Sequence, residues 1–189
     1  MGVKVKVYTD GFQNAYIRLD GMRGRSSDLG PALDKSGVMM LGSIQRNFTQ
    51  SGRPAPWTPL SSRTLIGKIS RGKSPRPLIL SGARGLQGSV SYRYSLTPTG
   101  GRLIVGTPVK YARIHQFGGV THPRVTKKMR GWAWHKWYET GDEFYKGLAL
   151  TKKTRLDVKI PARKFLMFQK ADLRGIGRLV LGHVMGGGK

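Results

Sequence analysis

Residues 90–105 carry the pattern that most narrows the fold. Val90, Tyr92, Tyr94 and Leu96 alternate with polar residues, Thr97-Pro98-Thr99-Gly100-Gly101 is made of turn formers, and Leu103-Ile104-Val105 returns as an apolar run. A period of two places alternate side chains on one face, so the segment reads as a β-hairpin.

Helical spacing dominates elsewhere. Leu29, Leu33, Met40, Leu41, Ile44 and Phe48 recur on one helical face, with Ser27 as a candidate cap. Pro31 is tolerable in a first turn, while Gly30, Gly37 and Gly42 weaken the pattern. Before it, Val3, Val5 and Val7 alternate with lysines as a strand would, Asp10-Gly11 is a turn signal, and Ala15 to Leu19 reads as a second strand. Gly21 to Ser27 reads as a polar, arginine-rich turn.

The prolines and glycine of residues 50–58 predict a loop, followed by a short helix within Pro59 to Ile69 and a basic, proline-broken stretch over 70–77. Pro108 fits the first turn of a helix running through Phe117, with Gly118 as its stop. Residues 120–156 read as a Trp- and Lys-rich excursion, with Thr126 capping a helix that Gly141 ends. Asp157 to Ile160 is a candidate last strand, and Phe165 to Met185 a C-terminal helix. The tail, residues 186–189, is expected to be disordered. The sum is a single α+β domain over residues 1–189: a small antiparallel sheet, a long N-terminal helix, a helix after the central hairpin, and a C-terminal helix.

Charge bears on partners. The 189-residue chain carries 34 Lys and Arg against 9 Asp and Glu, a net charge of +25. Between Asp34 and Glu139 there is no acidic residue, yet 18 Lys or Arg lie there. Such a field favours a polyanion, nucleic acid first, or an acidic neighbour protein. With 0 cysteines there is no disulfide framework and no thiolate metal site. The start, Met1-Gly2-Val3-Lys4-Val5-Lys6, lacks a signal-peptide apolar core and puts Lys6 where a myristoylation motif wants Ser or Thr. No apolar run approaches the roughly 20 residues of a membrane span. The expectation is a soluble protein made inside the cell, without membrane contact.

Catalytic readings are weak. Gly67-Lys68-Ile69-Ser70-Arg71-Gly72-Lys73-Ser74 fits the phosphate-loop pattern, but a helix is expected before it and Pro75 and Pro77 follow. Residues 35–138 also hold no carboxylate for magnesium. Gly82, Gly85 and Gly88 suggest a phosphate cradle, yet a strand follows and no ribose-binding acid lies downstream. His115, His122, His135 and His183 do not form a zinc-hydrolase pair. Glu139, Asp142 and Glu143 would need raised pKa values and a cleft for acid–base work, and Asp142 reads more simply as a helix cap. No catalytic residue, cofactor or metal is expected. Lys127, Lys128, Arg130, Trp132, Trp134 and Trp137 interleave bases and aromatics, as a segment that docks on another protein or on its own domain does, or one that faces DNA.

Several fragments then fall in one order. Trp57-Thr58-Pro59-Leu60 precedes Thr64 and Lys68; Pro77-Leu78-Ile79 and Ser81-Gly82 come next; after the hairpin stand Gly106-Thr107, Tyr111-Ala112 and His115-Gln116-Phe117-Gly118-Gly119; Ile160-Pro161-Ala162-Arg163 and Phe165-Leu166 close the set. Over roughly residues 29–185 this resembles the phage virion morphogenesis family, the tail-completion or neck proteins of tailed bacteriophages. Leu86 is displaced from the leucine the family commonly has after Ser-Gly, and Lys164 replaces a common proline. The resemblance implies a non-enzymatic virion protein, made in the host cytoplasm and placed at the head–tail junction. It implies a ring of subunits around the DNA channel, a hexamer or dodecamer, meeting connector, head-completion or tail-terminator proteins and touching packaged DNA. It marks Trp57, Pro59, Leu60, Gly106, Tyr111, His115, Gln116, Phe117, Gly118, Pro161, Arg163 and Phe165 as motif residues, with Tyr111, His115 and Phe117 expected to pack or pair within the fold. The alternative is a sequence-independent nucleic-acid-binding protein; a nucleotide hydrolase using Gly67–Ser74 is the third reading.

Overall fold

The computed structural model describes residues 10–73, 75, 85–97 and 100–186. The expected strand at Val3–Val7, residues 187–189 of the tail, and the Leu78–Gly82 motif lie outside them. Among the described residues the order is α1 (Asp10–Ser27), α2 (Gly30–Thr49), α3 (Ser62–Ile69), β1 (Ser91–Thr97), β2 (Gly100–Gly106), α4 (Ala112–Phe117), β3 (Gly119–Thr121), α5 (Lys127–Thr140), α6 (Glu143–Leu150), β4 (Val158–Ile160) and α7 (Lys170–Met185). The expected α+β class, with its hairpin and N- and C-terminal helices, is what forms. The chain makes two compact units: residues 1–112 with 164–189, and residues 113–163.

In the first unit α2 is the axis. It buries Ala32, Leu33, Ser36, Met40, Ser43, Ile44, Asn47 and Phe48, a stripe at intervals of three and four. β1 and β2 pair antiparallel, with Tyr92 opposite Val105 and Tyr94 opposite Leu103, as the alternation predicts. The ribbon comes so close to α2 that a Cβ on Gly37 would stand 2.1 Å from the Tyr92 ring. Phe48 lies at the centre, edge-on to Trp57 at 5.8 Å and tilted against Phe165 at 5.4 Å. Phe48 and Phe165 are wholly buried, each stabilising the fold by about 1.5–3 kcal/mol.

Element boundaries differ from expectation in several places. Ala15–Leu19 and Gly21–Ser27 are not a strand and a turn but one helix, α1. Ser27 does not cap α2; its hydroxyl donates to Gly24 O at 2.7 Å, and Leu29 holds the cap position. Pro108 does not open α4, which begins at Ala112 after a turn closed by Ala112 N donating to Val109 O. The C-terminal helix begins at Lys170 rather than Phe165, because Gln169 and Asp172 close a capping box there.

In the second unit α5 and α6 pack against each other as a helical hairpin, and β3 and β4 form a short antiparallel ladder. Thr126 caps α5, its hydroxyl accepting from Met129 N at 3.2 Å. Gly141 ends α5 at φ 66°. Asp142 caps α6, accepting from Phe144 N at 2.9 Å. No helix among the described residues is long and apolar enough to cross a membrane.

Candidate functional site

The two motif runs that bracket the second unit meet in space. α4 stops at Gly118, whose φ of 74° is a left-handed conformation and whose N–H donates to Ile114 O at 2.8 Å. A Cβ on Gly118 would lie 2.8 Å from Ala162 N and 3.1 Å from Ile160 O. Only glycine gives both the dihedral and the clearance. Gly119 then opens β3 opposite Ile160 of β4, and Arg163 N donates to His115 O at 2.7 Å. His115–Gly119 and Ile160–Arg163 are therefore the two sides of one joint.

Chemistry at this joint is restricted. Burial holds the His115 imidazole below its ordinary pKa, and the Arg163 charge adds to the effect. Arg163 is itself buried, which lowers its own pKa. A histidine kept neutral beside an arginine has the wrong setting for a carboxylate-assisted base. Gln116 is half-buried and Pro161 exposed. Phe117, expected to pack, is 71 % exposed, because the last turn of α4 presents its ring outward. Tyr111 is 41 % exposed in the turn before α4.

The remaining motif residues belong to the first unit. Trp57 is buried and its indole Nε1 donates to Lys164 O at 3.3 Å, which ties the 50–58 loop to the segment before α7. Pro59 is exposed and Leu60 half-buried. Gly106 ends β2 opposite Ser91. Phe165 fills the core.

The α5–α6 pair uses its aromatics on itself. Trp132 meets Tyr145 edge-on at 5.6 Å, Trp134 meets Trp137 at 5.5 Å, and Trp137 meets Tyr138 at 4.9 Å. Lys146 Nζ lies 5.1 Å over the Trp137 ring, and Trp137 Nε1 donates to Glu143 Oε1 at 3.3 Å. Lys127 and Lys128 are exposed, while Arg130 is half-buried with an Nε that meets no acceptor among the described residues. Glu139 is bonded by Lys136 and flanked by His135, which hold its carboxyl below the usual range. That is the opposite of what a general acid needs.

The phosphate-loop reading of Gly67–Ser74 loses its geometry. α3 runs through Gly67 and Lys68, and Lys68 O accepts from Lys73 N at 2.9 Å. A helix stands where a strand must deliver the loop. Ser74 lies outside the described residues. No group of three or more His, Asp or Glu able to hold a metal occurs among them.

Two sets of residues escape sequence reasoning. One is the polar group of buried Ser43, Asn47 and Asp172 with half-buried Arg53. The other is a run of exposed cations, Arg124, Lys152, Lys153 and Arg155, that joins Lys127 and Lys128 only through strand pairing. Polar Ser43 and Asn47 on the apolar face of α2 are the signal that points to the first set.

No curated protein and no solved structure matches the chain. The model of the phage virion morphogenesis family matches residues 11–185. That span takes in the histidine joint, the Trp57–Phe165 core and the α5–α6 pair together, and the chain belongs to the phage virion morphogenesis family.

Proposed function

We propose that the chain is a non-enzymatic structural protein of the phage neck, completing or joining the tail to the head as an oligomeric ring around the DNA channel. Family membership over residues 11–185 carries the reading, since it assigns the chain to the building of the virion. The surface supports assembly. Large apolar side chains stand in solvent on each unit: Ile17 at 62 % and Leu19 at 63 % on α1, Phe117 at 71 % and Tyr138 at 76 % in the second unit. Contacts repeated by rotation cover such surfaces and close into rings. Connector, head-completion or tail-terminator proteins are the neighbours such a ring meets, and the basic surface suits packaged DNA or acidic subunits. Deleting the gene tests the role: filled heads and separate tails should accumulate unjoined, and joined particles without the protein would refute it.

A second reading, sequence-independent nucleic-acid binding, rests on the 18 Lys and Arg within a stretch that holds no carboxylate. It requires DNA or RNA binding with a steep salt dependence. Negligible binding at low salt removes it.

A further inference from the structure

The second unit holds 12 Lys and Arg against 4 Asp and Glu, and its carboxylates are committed. Glu139 is held by Lys136 and His135, Glu143 lies 3.5 Å from Lys146, Asp142 caps α6, and Asp157 meets His122 at 2.7 Å.

Six other cations, Arg124, Lys127, Lys128, Lys152, Lys153 and Arg155, fall at one end of a two-stranded ladder. β3 and β4 pair Gly119 with Ile160, Val120 with Lys159 and Thr121 with Val158. The same register continues past His122 and Asp157 to an antiparallel bridge between Arg124 and Arg155. The flanking bonds run from Val125 N to Thr154 O, 2.9 Å, and from Leu156 N to Pro123 O, 3.0 Å. Arg124 and Arg155 therefore form a non-hydrogen-bonded pair, the position where opposed side chains share a face and approach most closely. Like charges there are destabilising. Asp157 lies on the same face one pair further along, engaged by His122. Lys152 and Lys153 lead into one strand of this ladder, and Lys127 and Lys128 follow the other at the positive end of α5. All six cations are exposed.

We propose that this face, Arg124 and Arg155 with Lys127, Lys128, Lys152 and Lys153, binds the phosphate backbone of duplex DNA. Phosphates relieve both the opposed arginines and the lysines at the helix start. Duplex is favoured over unpaired strand because the tryptophans of α5 are engaged with other rings rather than left as stacking platforms. An acidic protein is the rival partner, but six exposed cations gathered at one end of the ladder, with no carboxylate among them, suit the dense charge of a nucleic-acid backbone. The inference rests on the nucleic-acid reading above and narrows it to one surface.

The test is binding of the full chain to a short mixed-sequence duplex across a salt series. Neutralising Arg124→Gln, Arg155→Gln, Lys152→Gln and Lys153→Gln together should lower the slope of log affinity against log salt by about 3.6, at about 0.9 for each phosphate no longer neutralised. Neutralising four exposed cations of the first unit, Arg23, Lys170, Arg174 and Arg178, should leave most of the slope. Arg155→Glu should melt no lower than the parent, since it exchanges a repulsive pair for an attractive one, and should still bind DNA more weakly. Equal slope losses from both quadruple variants overturn the site while sparing nucleic-acid binding. No binding by the parent chain removes both. Displacement of the duplex by polyglutamate at equal charge, or tighter binding of single-stranded DNA, overturns the assignment to duplex phosphates.

Discussion

Asp172 of α7 and Arg53 of the 50–58 loop are joined through one hydroxyl: Ser43 Oγ donates to Asp172 Oδ2 at 2.7 Å and accepts from Arg53 Nη2 at 2.7 Å. Arg53 Nε also donates to Asn47 Oδ1 at 2.8 Å, and Asn47 Nδ2 donates to Phe165 O at 2.9 Å. Asp172 Oδ2 further accepts from Gln169 N at 2.8 Å. One buried network thus fixes the loop, the start of α7 and the polar positions of α2. Buried polar groups of this kind are stable only when every member is satisfied.

Ser43→Ala should therefore cost about 1–3 kcal/mol, because it leaves the buried Asp172 carboxylate with the Gln169 N–H alone and removes the hydroxyl bridge to Arg53. Denaturant unfolding reads the loss directly. A change within a few tenths of a kcal/mol would show that water takes over the bridge.

Two glycines of α2 should respond with opposite sign. At Gly42 nothing lies within 4 Å of an added Cβ, so Gly42→Ala should stabilise by about 0.5–1 kcal/mol through helix propensity. At Gly37 the Cβ would stand 2.1 Å from the Tyr92 ring, which is itself held by Asp34 at 2.7 Å. Gly37→Ala should forfeit the same propensity gain and more, about 1–3 kcal/mol net, as overpacking does. Thermal melts of the two variants side by side decide it.

The joint between the motif runs predicts a similar contrast. Gly118→Ala meets backbone at 2.8 Å as well as a left-handed φ, whereas Gly141→Ala meets a left-handed φ of 66° and open space. Gly141→Ala should cost about 1 kcal/mol, the ordinary left-handed strain, and Gly118→Ala distinctly more. Equal losses would mean that the approach to Ala162 relaxes freely.

His115 gives the fold a pH dependence with a defined sign. Its folded pKa lies below the ordinary 6.5 because of burial and Arg163. Well above 6.5 the imidazole is neutral in both states and this effect is absent. As pH falls below that value the unfolded chain takes up a proton that the folded chain refuses, so stability declines until the folded pKa is reached. The decline should shrink in His115→Gln, measured by unfolding at pH 7 and at pH 5.

How much of the fold is legible in the sequence depends on the range of the interaction. The β1–β2 hairpin and the α2 stripe are legible because Tyr92, Tyr94, Leu103 and Val105, or Met40, Ile44 and Phe48, repeat locally at the period of their element. The caps at Thr126, Gly141 and Asp142 are legible because a cap acts within three residues. α1 reads falsely as a strand because Ala15, Ile17 and Leu19 alternate over five residues, too few to separate two periods. Tyr16, Ile17 and Leu19 are more than 60 % exposed, so little burial marks its helical face. Phe165 joins the apolar run of α7 in sequence yet lies in the irregular segment before it, since its ring packs on Phe48 in the core that Trp57 also enters. The facing of Arg124 on Arg155 depends on a register set at Gly119 and Ile160, and no local pattern encodes it.

Cryo-electron microscopy of the intact virion decides where this chain sits. A closed ring of it should stand at the head–tail junction, enclosing the DNA channel. Its absence from the neck, or its presence only elsewhere in the particle, would contradict the proposed neck role.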